Sequence, residues 1–203
     1  YLLGTCCFIK ENYILNKYIF TGASAGSWNS LLMSYKGNLK NIISLIHNLD
    51  YDNIKSLHEL QLNLKDLILK NFNHNEFELD KLFIGVTVFK KFKFRTYMFT
   101  DFNNLEDAID CCIASSHIPF ITGNFLHKYK NMYCFDGGFS RNPYFDSIYE
   151  SILITPTIWK NTMMNNDLDN SAFSFNKMKL IKLYYDGYDD AKNNNNIIKE
   201  LLQ

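Results

Sequence analysis

Tyr18-Ile19-Phe20-Thr21-Gly22-Ala23-Ser24-Ala25-Gly26-Ser27-Trp28-Asn29-Ser30-Leu31-Leu32 is the stretch on which the fold turns. Tyr18, Ile19, Phe20 and Thr21 are β-formers and predict a strand. Beyond Gly26, Trp28, Leu31, Leu32 and Tyr35 fall at the i, i+3, i+4, i+7 spacing of one helix face, and Gly37 is a natural stop. Between strand and helix stands Gly22-Ala23-Ser24-Ala25-Gly26. A serine held on so sharp a turn has its oxygen exposed above a sheet, as in a nucleophile elbow. Glycine is expected at both flanks, Gly22 and Gly26, because side chains there would clash across the bend. The first turn of the helix also brings unpaired N–H groups and a positive dipole end beside the serine.

A protonated serine hydroxyl is a weak nucleophile and needs a base. The chain has five histidines, His47, His58, His74, His117 and His127, with none after position 127. An α/β-hydrolase order of Ser, Asp, His remains open with Asp101 and then His117 or His127. A stronger candidate is Asp136, in Phe135-Asp136-Gly137-Gly138-Phe139. Met132-Tyr133-Cys134-Phe135 ahead of it reads as a short buried strand. An aspartate at a strand end, followed by two small residues, sits at the rim where open α/β sheets bind ligands. Asp-Gly and Gly-Gly are also ordinary turn formers, so this motif draws its weight from the elbow.

Taken together, the two motifs resemble those of the patatin-like phospholipases. Gly22-Ala23-Ser24-Ala25-Gly26 is similar to the family's serine motif, and Asp136-Gly137-Gly138 to its aspartate motif. Asn142-Pro143 resembles the segment that often follows, and Ala114 to Phe120 the Ser/Ile-Pro segment between them. The resemblance covers about residues 1 to 155 and is nearest the adiponutrin-type and protist or viral branches. It implies an α/β/α three-layer sandwich with a mainly parallel central sheet. It also implies a lipid acyl hydrolase in which Ser24 is the nucleophile and Asp136 the base, with no histidine, cofactor or metal. An ordinary aspartate, with a pKa of about 3.9, is a feeble base, so such a dyad relies on geometry. The family carries a glycine-rich oxyanion loop before its first helix. Tyr1-Leu2-Leu3-Gly4 resembles the start of that helix, so this sequence is expected to lack the loop. Two other readings stay open: an α/β-hydrolase esterase with a Ser-Asp-His triad, and a catalytically inactive lipid-binding or regulatory protein.

Composition sets further bounds. A length of 203 residues with 47% hydrophobic content predicts a single domain over 1–203. A formal net charge of +0 argues against a nucleic-acid partner. Cys6, Cys7, Cys111, Cys112 and Cys134 form neither a disulfide framework nor a zinc pattern, and buried reduced thiols are expected. No apolar run approaches the roughly 18 residues of a membrane span. The expected setting is cytoplasmic, with membranes or lipid droplets as peripheral surfaces and lipid esters as substrate.

Along the chain, helices are expected over Leu2 to Ile9, on the Leu39-Ile42-Ile43-Ile46-Leu49 face, on the Leu57-Leu60-Leu64-Leu67-Ile68 face, and over Asn103 to Ser115. Strands are expected over Leu82 to Phe89, Phe92 to Thr100, and Ile152 to Ile154, the last ended by Pro156. The first two suggest a hairpin across Lys90-Lys91. The run Lys90-Lys91-Phe92-Lys93-Phe94-Arg95 reads as a half-buried strand with a charged face, or as an anchor on anionic lipid. Leu180 to Tyr185 reads as a strand or a short helix. A loop is expected over 160–178 and a terminal helix over Asn193 to Gln203.

Overall fold

The computed structural model describes residues 1–139, 152–155, 158, 159 and 177–202. The chain divides into two compact units, one of Tyr1–Asn16, Leu39–Ile54 and Tyr149–Gln203, the other of Lys17–Asn38 and Lys55–Ile148.

The first unit is helical among its described residues. It comprises α1 (Leu2–Asn12), α3 (Leu39–His47), α6 (Lys177–Asn193) and α7 (Asn195–Leu201). α1 crosses α6 closely: Gly4 lies against the backbone of Tyr184 and Gly187 against that of Tyr1. Polar contacts hold the crossing in place. Tyr1 donates to Asp190 (2.6 Å), Thr5 to the Gly187 carbonyl (3.1 Å) and Tyr188 to Glu11 (2.7 Å). On α3 the buried residues are Leu39, Ile42 and Ile43, the start of the expected apolar face. Leu180 to Tyr185 is therefore helix, within α6. Ile152 to Ile154 is not a strand, and Pro156 lies outside the described residues. Most of the expected 160–178 loop lies outside them too, though Lys177 and Met178 belong to α6.

The second unit carries the sheet: β1 (Phe20–Ala23), β2 (Leu82–Lys90), β3 (Lys93–Phe99), β4 (His127–Tyr129) and β5 (Met132–Phe135). Its helices are α2 (Ala25–Met33), α4 (Leu57–Asn71) and α5 (Leu105–Ser115). Asn104 caps α5: its side chain accepts the Asp107 N–H, the cap chemistry of Asn. Lys65 of α4 bridges to Glu106 (2.8 Å) and Asp110 (2.6 Å) of α5. β2 is the central strand, and Leu82, Ile84, Val86 and Val88 are completely buried. The expected elbow strand begins late: Tyr18 and Ile19 precede it, and Phe20 opens β1.

The chain has the expected mixed α/β fold with an open sheet. The pairings correct one detail. β1–β2 is parallel, whereas β2–β3, β2–β5 and β4–β5 are antiparallel. The cause is the connections. The tight turns at Lys91-Phe92 and Lys130-Asn131 can join only antiparallel strands, and the helical crossover from β1 to β2 is what permits a parallel pair.

The first of these turns is centred on Lys91-Phe92, one residue later than expected. Both residues have positive φ, 50° and 59°, the conformation of a two-residue turn that favours Asn-Gly. Replacing Lys91 with Asn and Phe92 with Gly is expected to stabilise the unit by about 1 kcal/mol, raising Tm by about 2–4 °C. Thermal melts would check it.

All five cysteines are buried free thiols. Burial pushes the thiol of Cys134 up to about 11 and those of Cys6 and Cys7 to about 12.

Candidate active site

Ser24 sits between β1 and α2 with φ 54° and ψ −129°. L-residues rarely hold such a conformation, and its presence at this strand-to-helix turn marks strain stored at a site. The turn is fixed by the Ser24 carbonyl, which accepts from Ser27 N (3.0 Å) and Ser27 Oγ (2.6 Å). Gly22 is required there: a Cβ on it would stand 2.2 Å from the Gly26 carbonyl oxygen. Gly26 is not, since a Cβ there would meet nothing within 4 Å. The expectation that both flanks are crowded is thus corrected, because Gly26 lies one step into the helix with its Cβ direction toward open space. Gly22→Ala is expected to cost about 2–3 kcal/mol, whereas Gly26→Ala is expected to add about 0.5–1 kcal/mol. Denaturant titration of the two variants side by side checks the contrast.

Asp136 follows β5 directly. Its Oδ1 accepts the Gly138 N–H (2.8 Å), while Oδ2 is buried with no hydrogen-bond partner. Ser24 Oγ and Asp136 are accordingly not hydrogen-bonded to each other.

Strand register explains how the two motifs meet. β3 pairs with Ile84 to Lys90 of β2 along one edge. β1 pairs with Leu82 to Gly85 and β5 with Thr87 to Phe89, so both occupy the opposite edge. β1 runs parallel to β2 and β5 antiparallel, so their C-terminal ends point at each other. Ala23 pairs with Gly85 and Phe135 with Thr87. The two strands thus stop one residue to either side of Val86, and Ser24 and Asp136 are the residues that follow them. Gly137 is wedged at this junction, where a Cβ would lie 2.2 Å from the Gly85 carbonyl oxygen and 2.7 Å from Ala23 Cβ.

Ser115, the last residue of α5, ties the two loops together. Its Oγ accepts the Ser24 N–H (2.9 Å) and donates to the Gly85 carbonyl (2.6 Å), while its own carbonyl accepts the Gly137 N–H (2.7 Å). Ser116 joins the helices. Its Oγ accepts from Trp28 Nε1 of α2 (3.1 Å) and Gln61 Nε2 of α4 (2.9 Å), and donates to the Cys112 carbonyl (2.7 Å). Neither serine stands out in the sequence as a positioning residue. The available signal was two hydroxyls closing an otherwise apolar helix end, which are buried here.

The His117 carbonyl accepts the Asp136 N–H (2.7 Å), while its imidazole is buried against His127, ring centroids 5.2 Å apart. His117 Nε2 and His58 Nδ1 are buried without hydrogen-bond partners. Among the described residues no three His, Cys, Asp or Glu side chains are grouped to hold a metal ion. Burial lowers the pKa of both His117 and His127. Neighbouring histidines lower them further, and the field of Asp136 partly offsets this at His117. Both therefore take up a proton at lower pH in the fold than in the unfolded chain, where they do so near pH 6.5. Their stabilising contribution is whole above about pH 6.5 and is lost as the pH falls from there toward the folded values. Denaturant midpoints should thus drop between about pH 7.5 and about pH 5.5, and by less in His117→Gln.

The segment Asn142-Pro143 lies outside the described residues. No helix among the described residues is long and apolar enough to cross a membrane. Residues 1–148 match the family model of the patatin-like phospholipases, and comparison with the curated proteins gave no match.

Proposed function

Because the chain belongs to the patatin-like phospholipase family, whose activity is lipid acyl hydrolysis, we propose that it cleaves carboxylic esters of phospholipids or acylglycerols with Ser24 as nucleophile and Asp136 as base. The observation that carries this reading is the meeting of the β1 and β5 ends at Val86, with Asp136 Oδ2 left unpaired. A buried carboxylate oxygen without a donor is costly to keep, and a serine hydroxyl is the donor such an oxygen would take.

Ser24 Oγ attacks the ester carbonyl carbon, and its proton passes to Asp136 Oδ2. The tetrahedral intermediate collapses, the alcohol leaves with that proton, and an acyl-serine remains. Water then gives a proton to Asp136 and attacks the acyl carbon. The fatty acid departs and Ser24 recovers its proton. The N-terminus of α2 favours the negative charge that develops beside Ser24.

Intact-mass labelling with a lipophilic fluorophosphonate tests the assignment. One adduct per chain is expected in the wild type and none in Ser24→Ala; an adduct that persists in Ser24→Ala sinks it. His117→Asn should keep labelling. A loss there as deep as that of Ser24→Ala would replace the dyad with a triad.

A further inference from the structure

We propose that the β2–β3 hairpin docks the chain on an anionic lipid bilayer, with Phe92 entering the acyl region and Lys90, Lys91, Lys93 and Arg95 meeting the lipid phosphates. The proposal deepens the lipid-ester reading by naming the surface that would meet the substrate's membrane, and its test needs no turnover.

Every residue from Phe89 to Arg95 is exposed, and Phe92 at the apex is 94% exposed. The four cations make no salt bridge among the described residues. No acidic residue occurs between Asp80 and Asp101, in a chain whose overall net charge is +0. The positive charge is thus concentrated at this tip, and its complement is an anionic surface.

The hairpin is two-sided. Phe89 pairs with Phe94 on one face, and Lys90 with Lys93 on the other. The aromatic side is continuous. The Phe92 ring lies 6.4 Å from Phe89, Phe89 4.9 Å from Phe94, and Phe94 5.4 Å from Phe139. Phe139 is itself exposed and follows Asp136 by three residues. The apolar strip therefore leads from the tip to the loop bearing Asp136, so a docked hairpin would set that loop beside the lipid. Across the same row, Lys128 sits 4.9 Å over the exposed Tyr133 ring and extends the mixed basic and aromatic surface.

The turn supplies an independent argument. Lys91 and Phe92 both hold positive φ where Asn-Gly would be relaxed. A cation and a large aromatic ring are displayed at the apex against the local backbone preference, as happens at sites under functional constraint.

The test is co-sedimentation with vesicles of phosphatidylcholine alone and of phosphatidylcholine with about one-third phosphatidylserine. The wild type should bind the anionic vesicles, and added salt should weaken the binding. Each basic residue near such a surface strengthens binding by about fivefold. Joint Lys90→Gln, Lys93→Gln and Arg95→Gln replacement should therefore reduce affinity about 100-fold. Lys91→Asn with Phe92→Gly, which suits the turn and preserves the fold, should reduce it at least about tenfold. Unchanged binding in either variant overturns the proposal, as does equal binding to both vesicle types. Ser24→Ala should bind as the wild type does, so a failure of the catalytic reading leaves this outcome legible.

Discussion

Asp136→Asn should lower lipid-ester hydrolysis by at least about 1,000-fold while leaving Tm unchanged or slightly raised. The expected loss follows the cost of disabling the acidic partner in other serine hydrolases, about four orders of magnitude. An amide cannot accept and return the serine proton. The structural part of the forecast rests on the two carboxylate oxygens. Oδ1 accepts the Gly138 N–H, a bond the Asn carbonyl oxygen can keep. Oδ2 has no hydrogen-bond partner to lose. A buried, unpaired anionic oxygen is a liability to the fold, and replacing it with a neutral group removes part of that cost. Steady-state hydrolysis of a lipid ester, with a thermal melt of the same preparation, checks both halves. Activity within about tenfold of wild type would remove Asp136 from the mechanism. A collapse of Tm would assign it a structural role instead.

Gly137→Ala is the second large effect. The added methyl group would stand 2.2 Å from the Gly85 carbonyl oxygen and 2.7 Å from Ala23 Cβ. One neighbour is backbone of the central strand and the other is the residue before Ser24, so neither can yield without moving an element. The loop itself must shift. Its N–H bond to the Ser115 carbonyl, 2.7 Å in the structure, is the first contact at risk. We expect a loss of about 3 kcal/mol in stability. Activity should fall at least about 100-fold, the penalty typical of displacing a reacting group by about an ångström. Urea titration and hydrolysis measured together check it; wild-type values in both would mean that the junction is more pliable than drawn. Gly138→Ala is a useful control, because its nearest neighbour is Asp136 Oδ1 at 3.2 Å, a side-chain atom.

Where the sequence could be read, the cause was local. The elbow is legible because a bend between strand and helix makes demands on adjacent positions, and Gly22 and Ser24 meet them. The start of the helix expected from Asn103 and the apolar start of α3 are legible for the same reason: their partners lie within a turn or two along the chain. Leu180 to Tyr185 was ambiguous because a short run rich in Leu, Ile and Tyr suits a strand as well as a helix. Packing of α6 on α1, through residues more than 170 positions away, resolves it as helix. The antiparallel directions of β2–β3 and β4–β5 are not legible in strand composition, because the short turns between these strands set them.

The sequence by itself determined that a serine stands on a strand-to-helix turn, that an aspartate closes a short strand, and that both belong to an α/β chain of patatin-like type. Only the tertiary structure decided that the loops bearing them meet. Ser24 and Asp136 are 112 residues apart, and no local preference acts over that span. What joins them is register. β1 and β5 share one edge of β2, run toward each other, and stop at Gly85 and Thr87. Ser115 then occupies the junction and bonds to both loops. Strand pairing and the burial of β2 are properties of the whole sheet, so the convergence exists only once the sheet has formed.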